Sequence, residues 1–87
     1  MNWSGFRKER IDLGLPLLLI IGPNGFLGCG YINVDTCNKT GEACAIVSGV
    51  NSHEDMLKVR VKAVSNEARK LGVTEEMTGE EALRIFR

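Results

Sequence analysis

Residues 16–21 read Pro-Leu-Leu-Leu-Ile-Ile, an unbroken apolar run of strand length and short of the roughly eleven residues a buried helix needs. Gly22-Pro23-Asn24-Gly25 follows as turn chemistry: Pro23 pre-sets φ, Asn24 tolerates left-handed backbone, and the glycines add no side chain. Residues 26–34 then predict a second strand, so the two runs form a hairpin. Residues 43–50 predict another strand that is apolar on both faces, with Cys44, Ile46 and Val50 on one and Ala43, Ala45 and Val47 on the other. Residues 58–64 alternate Val59, Val61 and Ala63 with Lys58, Arg60 and Lys62, the pattern of a half-exposed strand.

Helix signals fill the intervals. Asp35 is the expected N-cap of a short helix over residues 36–40, which Gly41 closes. Ser52-His53-Glu54-Asp55 resembles a capping box and opens a single helical turn through Leu57. Ser65 caps a helix running through Leu71, with Gly72 at its exit. Thr78-Gly79-Glu80-Glu81 is a second capping box, and Ala82, Leu83 and Phe86 line one face of the closing helix.

Strands first and helices last predict an α+β fold: one small mixed sheet, with an N-terminal hairpin and further strands, and short helices packed mainly on one face. Residues 1–87 are expected to form a single domain, with 1–12 as an N-terminal extension and 13–86 as its core. Few helices are available to cover a sheet whose middle strands are apolar on both sides. The uncovered face is therefore expected to pair with another copy of the chain, giving a homo-oligomer.

Composition narrows the function classes. At 44% hydrophobic and 25% charged, the chain has the balance of an ordinary globular protein. Its 11 basic and 11 acidic residues cancel, which argues against a nucleic-acid partner or an anionic membrane surface. The Arg7, Lys8 and Arg10 cluster is interrupted by Glu9 and Asp12 and reads as a solvated terminus. Cys29, Cys37 and Cys44 include no Cys-x-x-Cys pair, and His53 is the sole histidine, so no zinc site and no other metal or cofactor is implied. Unpaired cysteines with apolar neighbours suit a reducing cytoplasm, with Cys37 and Cys44 as packing residues. The apolar run is too short to span a bilayer. Residues 7–29 imitate a lipoprotein signal, but Asp12 and the Gly22–Gly25 turn break the imitation, so the expected location is cytoplasmic.

Four constellations invite chemistry. Gly22-x-x-Gly25-x-x-Gly28 behind an apolar strand imitates a dinucleotide loop, yet the helix it requires would have to run through Gly28, Gly30, Tyr31, Ile32 and Val34, which form helix poorly. Cys29 between two glycines is a candidate nucleophile, with His53 as its base or, failing that, Asp35, Glu54 or Asp55. The plainer reading of Cys29 is a small buried hydrophobe on a sheet face. His53 beside Glu54 and Asp55 reads as an exposed residue on a first helical turn whose carboxylates suit the helix dipole. Asn33 and Asp35 straddle a strand end, where a small polar ligand or plain turn and cap roles would suit them.

Several blocks together carry a family resemblance. Gly25-Phe26-Leu27-x-Cys29-Gly30-Tyr31-Ile32-Asn33, then Ala45-Ile46-Val47-x-Gly49-Val50, Glu54-Asp55-Met56-Leu57 and Met77-Thr78-Gly79-x-Glu81-Ala82-Leu83 resemble domain-of-unknown-function family 1805 (DUF 1805, the YunC-like proteins). The resemblance runs from about Leu13 to Phe86. It implies a small stand-alone, oligomeric α+β protein of prokaryotes and brings no assigned activity, cofactor or catalytic residue. Cys37, Thr40 and Cys44 stand where the family more usually has alanine or leucine, and Glu76 stands where glycine is common. The blocks holding Cys29-Gly30 and Gly49-Val50 are where a site is expected, so Gly30 and Gly49 join Asn33 and Asp35 as ligand-binding candidates. The expected function is an oligomeric ligand-binding or interaction module; the alternative is a thiol-dependent enzyme using Cys29 and His53.

Overall fold

The computed structural model of the protein describes residues 1–87, which build one sheet in the order β1-β2-β3-β4-β5. The strands are β1 (Arg7–Asp12), β2 (Pro16–Gly22), β3 (Gly25–Gly28), β4 (Cys44–Ile46) and β5 (Ala63–Val64). Every pairing is antiparallel except β3 with β4, which run parallel in the register Phe26↔Cys44 to Gly28↔Ile46. The helices are α1 (Val34–Thr40), α2 (His53–Lys58), α3 (Asn66–Leu71) and α4 (Gly79–Phe86). The α+β fold with a single mixed sheet is the one the residue pattern predicts.

Side-chain alternation splits the core between the two faces of the sheet. Leu18, Ile20, Leu27 and Ala45 point into the larger cluster, where Met56 of α2, Ala68 of α3 and Ala82, Leu83 and Phe86 of α4 meet them. Cys44 and Ile46 point the other way, onto Cys37 of α1, with Phe26, Ile32 and Val34 against them. Three helices thus cover one face, and α1 alone caps the other. The close fit of α4 on α2 depends on Gly79, where a Cβ would lie 1.8 Å from the Met56 carbonyl oxygen.

The β2–β3 hairpin forms as expected, closing through Gly22↔Gly25. Its tip is tied to the far terminus, since Asn24 N–H donates to Phe86 O at 2.9 Å. Both capping signals hold: Ser52 Oγ accepts from Asp55 N–H, and Thr78 and Glu81 form the reciprocal capping box of α4.

Other expectations are corrected. Within residues 1–12, Arg7–Asp12 form a strand that no residue pattern announced and pair along the whole of β2 as an edge strand. The second hairpin strand stops at Gly28 rather than 34. Gly28 lacks a side chain, and Ile32 folds back onto it so closely that a Cβ would sit 2.8 Å from Ile32 Cγ1. Asn33, not Asp35, caps α1: its Oδ1 accepts from Asp35 N–H at 2.8 Å, which places Asp35 in the first turn. The strand expected over 43–50 is confined to Cys44–Ile46. That expected over 58–64 shrinks to Ala63–Val64, because Lys58 ends α2 and Arg60 instead bridges to Thr78. Cys37 and Cys44 are buried, as packing residues should be, but they are not unpaired; a disulfide joins them across a Cα separation of 6.5 Å. That bond withdraws the cysteine argument for a reducing compartment. No helix is long and apolar enough to cross a membrane.

A candidate ligand-binding cleft

Strands β3 and β4 lie side by side, point the same way and end level, at Gly28 and Ile46. The chain leaving β3 turns through residues 29–33 into α1 on the Cys44 face. The chain leaving β4 passes through residues 47–52 into α2 on the opposite face. Adjacent parallel strands whose connections part to opposite faces open a crevice beyond their carboxyl ends, the place where open sheets bind ligands.

A cleft of about 480 Å³ occupies that crevice, between Gly30 and Tyr31 on one loop and residues 48–51 on the other, with Leu15 and Pro16 closing one end. A second cleft, of about 580 Å³, adjoins it at the same Gly30, Tyr31 and Ser48 and is lined further by Asn33, Ile46, Lys62 and Ala63. The loop after β4 is held firmly. Val50 is buried, Asp55 Oδ2 accepts from Asn51 N–H at 3.1 Å, and Asn51 O accepts from Arg10 Nη1 at 3.1 Å. On the opposite wall Tyr31 is 48% exposed, and its phenolic oxygen accepts from Leu15 N–H at 3.3 Å. That leaves the phenol hydrogen to donate.

Cys29 lines the floor of the first cleft but is only 3% exposed. Its Sγ accepts from Leu18 N–H at 3.3 Å and faces Pro16 O at 3.9 Å, so both partners are backbone groups of β2. His53 is not brought to it. The ring Nε2 sits 2.9 Å from Glu9 O on the edge strand, half-buried rather than freely exposed. Asp55 is engaged at Asn51, Glu54 is exposed, and Asp35 lies in the first turn of α1; none of them lines either cleft. Gly30 and Gly49 do line the first cleft, and Gly30 and Asn33 the second.

The ionisations that the structure shifts belong to surface pairs that line neither cleft. A hydrogen bond from Arg69 draws the Glu75 carboxyl below its usual 4.5, and the same contact raises Arg69. Glu67 raises Lys70 through its hydrogen bond, and the Thr78 backbone N–H lowers Glu81. The cleft residues that sequence reasoning passed over are Leu15, Tyr31, Ser48, Asn51 and Lys62. Their one local signal is Ser48-Gly49-Val50-Asn51, a polar, glycine-bearing link between an apolar strand and a helix cap.

Sheet and cleft together define a small α+β protein with an open groove at its one parallel strand pair. The chain belongs to the family described as Domain of unknown function (DUF1805), whose pattern matches residues 28–85 and so includes both cleft loops. The protein is also similar to a protein of unknown function, TA1206 from Thermoplasma acidophilum. That crystal structure superposes with a TM-score of 0.81 at 29% sequence identity, covering 94% of this chain and 93% of that chain. No curated protein matches the chain.

Proposed function

We propose that the protein is a small-molecule-binding module that works as a homo-oligomer, with its site in the cleft between residues 29–31 and 48–51. The observation that carries this reading is the parting of the β3 and β4 connections to opposite faces, which leaves about 480 Å³ of cleft beyond the strand ends. That volume falls within the roughly 300–1,000 Å³ of ordinary ligand sites, and the walls combine apolar Leu15 and Val50 with the polar tips of Tyr31, Ser48 and Asn51. An NMR screen of amide shifts against a fragment library tests it. Binders should move the amides of residues 29–31 and 48–51 together; binders that cluster elsewhere, or none at millimolar concentration, would refute the site.

Self-association is favoured by the face that α1 leaves open. Leu17, Leu19 and Ile21 of β2 are half-buried there, with Ile11 of β1 54% exposed opposite Leu17. Leu13 and Leu15 extend the patch at 51% and 65% exposure. Arg7 and Glu9 lie on the same face of β1 and pair with each other at 3.3 Å, so the charges on that face cancel and do not oppose the approach of a second copy. Light scattering on the eluting protein should give a dimer or larger at micromolar concentration, and Leu19→Lys should give a folded monomer. A monomeric parent protein would overturn the self-association. The cytoplasm is the location we propose with it, on the charge and turn that interrupt the apolar run near the N-terminus. Fractionation of the native cells tests this: the protein is expected in the cell interior, and its recovery outside the cell membrane would overturn the location.

A further inference from the structure

Resting on that reading of the cleft, we infer that its ligand has an apolar body ending in an anionic head group, and that Lys62 holds the head group. The two clefts share Gly30, Tyr31 and Ser48 in their linings and so adjoin, with chemically different far ends. At the Leu15 end no charged side chain lines the wall. At the other end Lys62 is the one charged lining residue, and no carboxylate accompanies it.

Lys62 takes part in none of the protein's ion pairs. Its backbone is nonetheless fixed beside the end of β4: Lys62 N–H donates to Ile46 O at 2.7 Å, and the preceding Val61 N–H donates to Met77 O at 2.9 Å. An exposed ammonium on an anchored backbone, facing a groove free of acid, is a cation without its counter-charge. The polar groups around it are suited to donate. Asn33 Oδ1 is occupied by the α1 cap, which leaves the Asn33 amide hydrogens, and the Ser48 hydroxyl lies on the wall the two clefts share. Donors of this kind about a single cation recognise an oxyanion, and charge-assisted hydrogen bonds are the strong ones. A carboxylate and a phosphate monoester both present that chemistry. The apolar Leu15 end takes the body of the molecule.

The test compares probes that share one body: phenylbutyrate, phenylbutyl phosphate and phenylbutanol, titrated into the full chain and followed by amide shifts. At least one of the two anions should bind about tenfold tighter than the alcohol, the low end of what one charge-assisted hydrogen bond contributes. Which anion it is separates a carboxylate ligand from a phosphate one. Lys62→Ala should bring the anion down to the affinity of the alcohol, while Lys62→Arg should keep most of the preference. Equal binding of anion and alcohol, unchanged by Lys62→Ala, would overturn the head-group inference and leave the cleft standing. Failure of all three probes to shift residues 29–31 and 48–51 would overturn both.

Discussion

Ser65→Ala removes a hydroxyl on which three backbone groups depend. Ser65 is fully buried, and its Oγ accepts from Cys44 N–H at 2.9 Å and from Ala68 N–H at 3.3 Å while donating to Glu42 O at 2.8 Å. Loss of the Ala68 contact is loss of the α3 cap, about 1 kcal/mol. Glu42 is exposed, so its carbonyl can turn to water. Cys44 N–H lies on a buried strand and has no substitute acceptor in the alanine variant, which adds roughly 1–3 kcal/mol. The whole substitution should therefore cost about 2–4 kcal/mol. Ser52→Ala is the matched control, because Ser52 Oγ caps α2 through Asp55 N–H alone, and it should cost about 1 kcal/mol. Urea unfolding followed by circular dichroism measures both. With a slope of about 1 kcal/mol per molar urea for so small a chain, the midpoints should fall by about 2–4 M and about 1 M respectively. A Ser65→Ala cost within about 0.5 kcal/mol of the control would show that Cys44 N–H does not depend on the hydroxyl, and the account of that corner would fail.

Gly79→Ala would drive a methyl group onto the Met56 backbone, so α2 and α4 must part; we expect a loss of about 3 kcal/mol and a melting point lower by more than about 10 °C. Reducing the Cys37–Cys44 bond frees a loop with a sequence separation of 7 and should cost about 2.5 kcal/mol on the loop-entropy account, read as a urea midpoint shift with and without dithiothreitol. In the oxidised native protein Cys29 should resist iodoacetamide and react once unfolded, because its thiol is buried and held by Leu18 N–H; rapid native labelling would contradict that burial. The Glu81 carboxyl lies below its ordinary 4.5 in the folded chain, chiefly because it accepts from the Thr78 N–H, so its contribution is present above that value and lost as pH falls through the lower folded one. Urea midpoints at about pH 6 and about pH 3 should therefore converge in Glu81→Gln relative to the parent, and equal acid losses in both would refute the linkage.

What the sequence disclosed, and what it hid, follows the range of the interactions involved. The Pro23-Asn24 turn, the caps at Ser52, Ser65 and Thr78, and the Gly41 and Gly72 exits are local chemistry, and all were legible. Strand β1 was not, because Arg-Lys-Glu-Arg-Ile-Asp is exposed throughout and shows no apolar alternation. It is a strand because β2 offers it an edge to pair with, and its charges suit the outermost position in a sheet. The early end of β3 was hidden because it depends on Ile32 folding back, a contact made outside any regular element. The disulfide was hidden too, since Cys37 and Cys44 meet only when the crossover brings α1 down on β4. Of the cleft, Gly30 and Gly49 were legible as glycine-bearing blocks. Tyr31, Ser48 and Lys62 come from three separate stretches of chain, and the parallel pairing of β3 with β4, together with the antiparallel pairing of β5 on β4, brings them to one end of the sheet.

The cleft is the gap that the packing of the two connections leaves. Gly28 lets Ile32 lie against the sheet, so β3 stops level with β4 and the chain is free to turn towards α1. The Cys37–Cys44 bond then fixes α1 on one face, at the strand whose end forms the other side of the groove. On the opposite face, Met56 is fully buried under the helix pair that Gly79 allows to close, which fixes α2 and draws residues 47–52 the other way. The two walls are accordingly held by different means. The 48–51 wall is held by Val50 in the core and by Asp55 and Arg10 on Asn51, all noncovalent. The Tyr31 wall rests on Ile32 and, through α1, on a covalent bond between Cys37 and Cys44. Because the family pattern matches residues 28–85, both walls and the contacts that part them fall within the shared region, apart from the Leu15 and Pro16 end and the Arg10 tether.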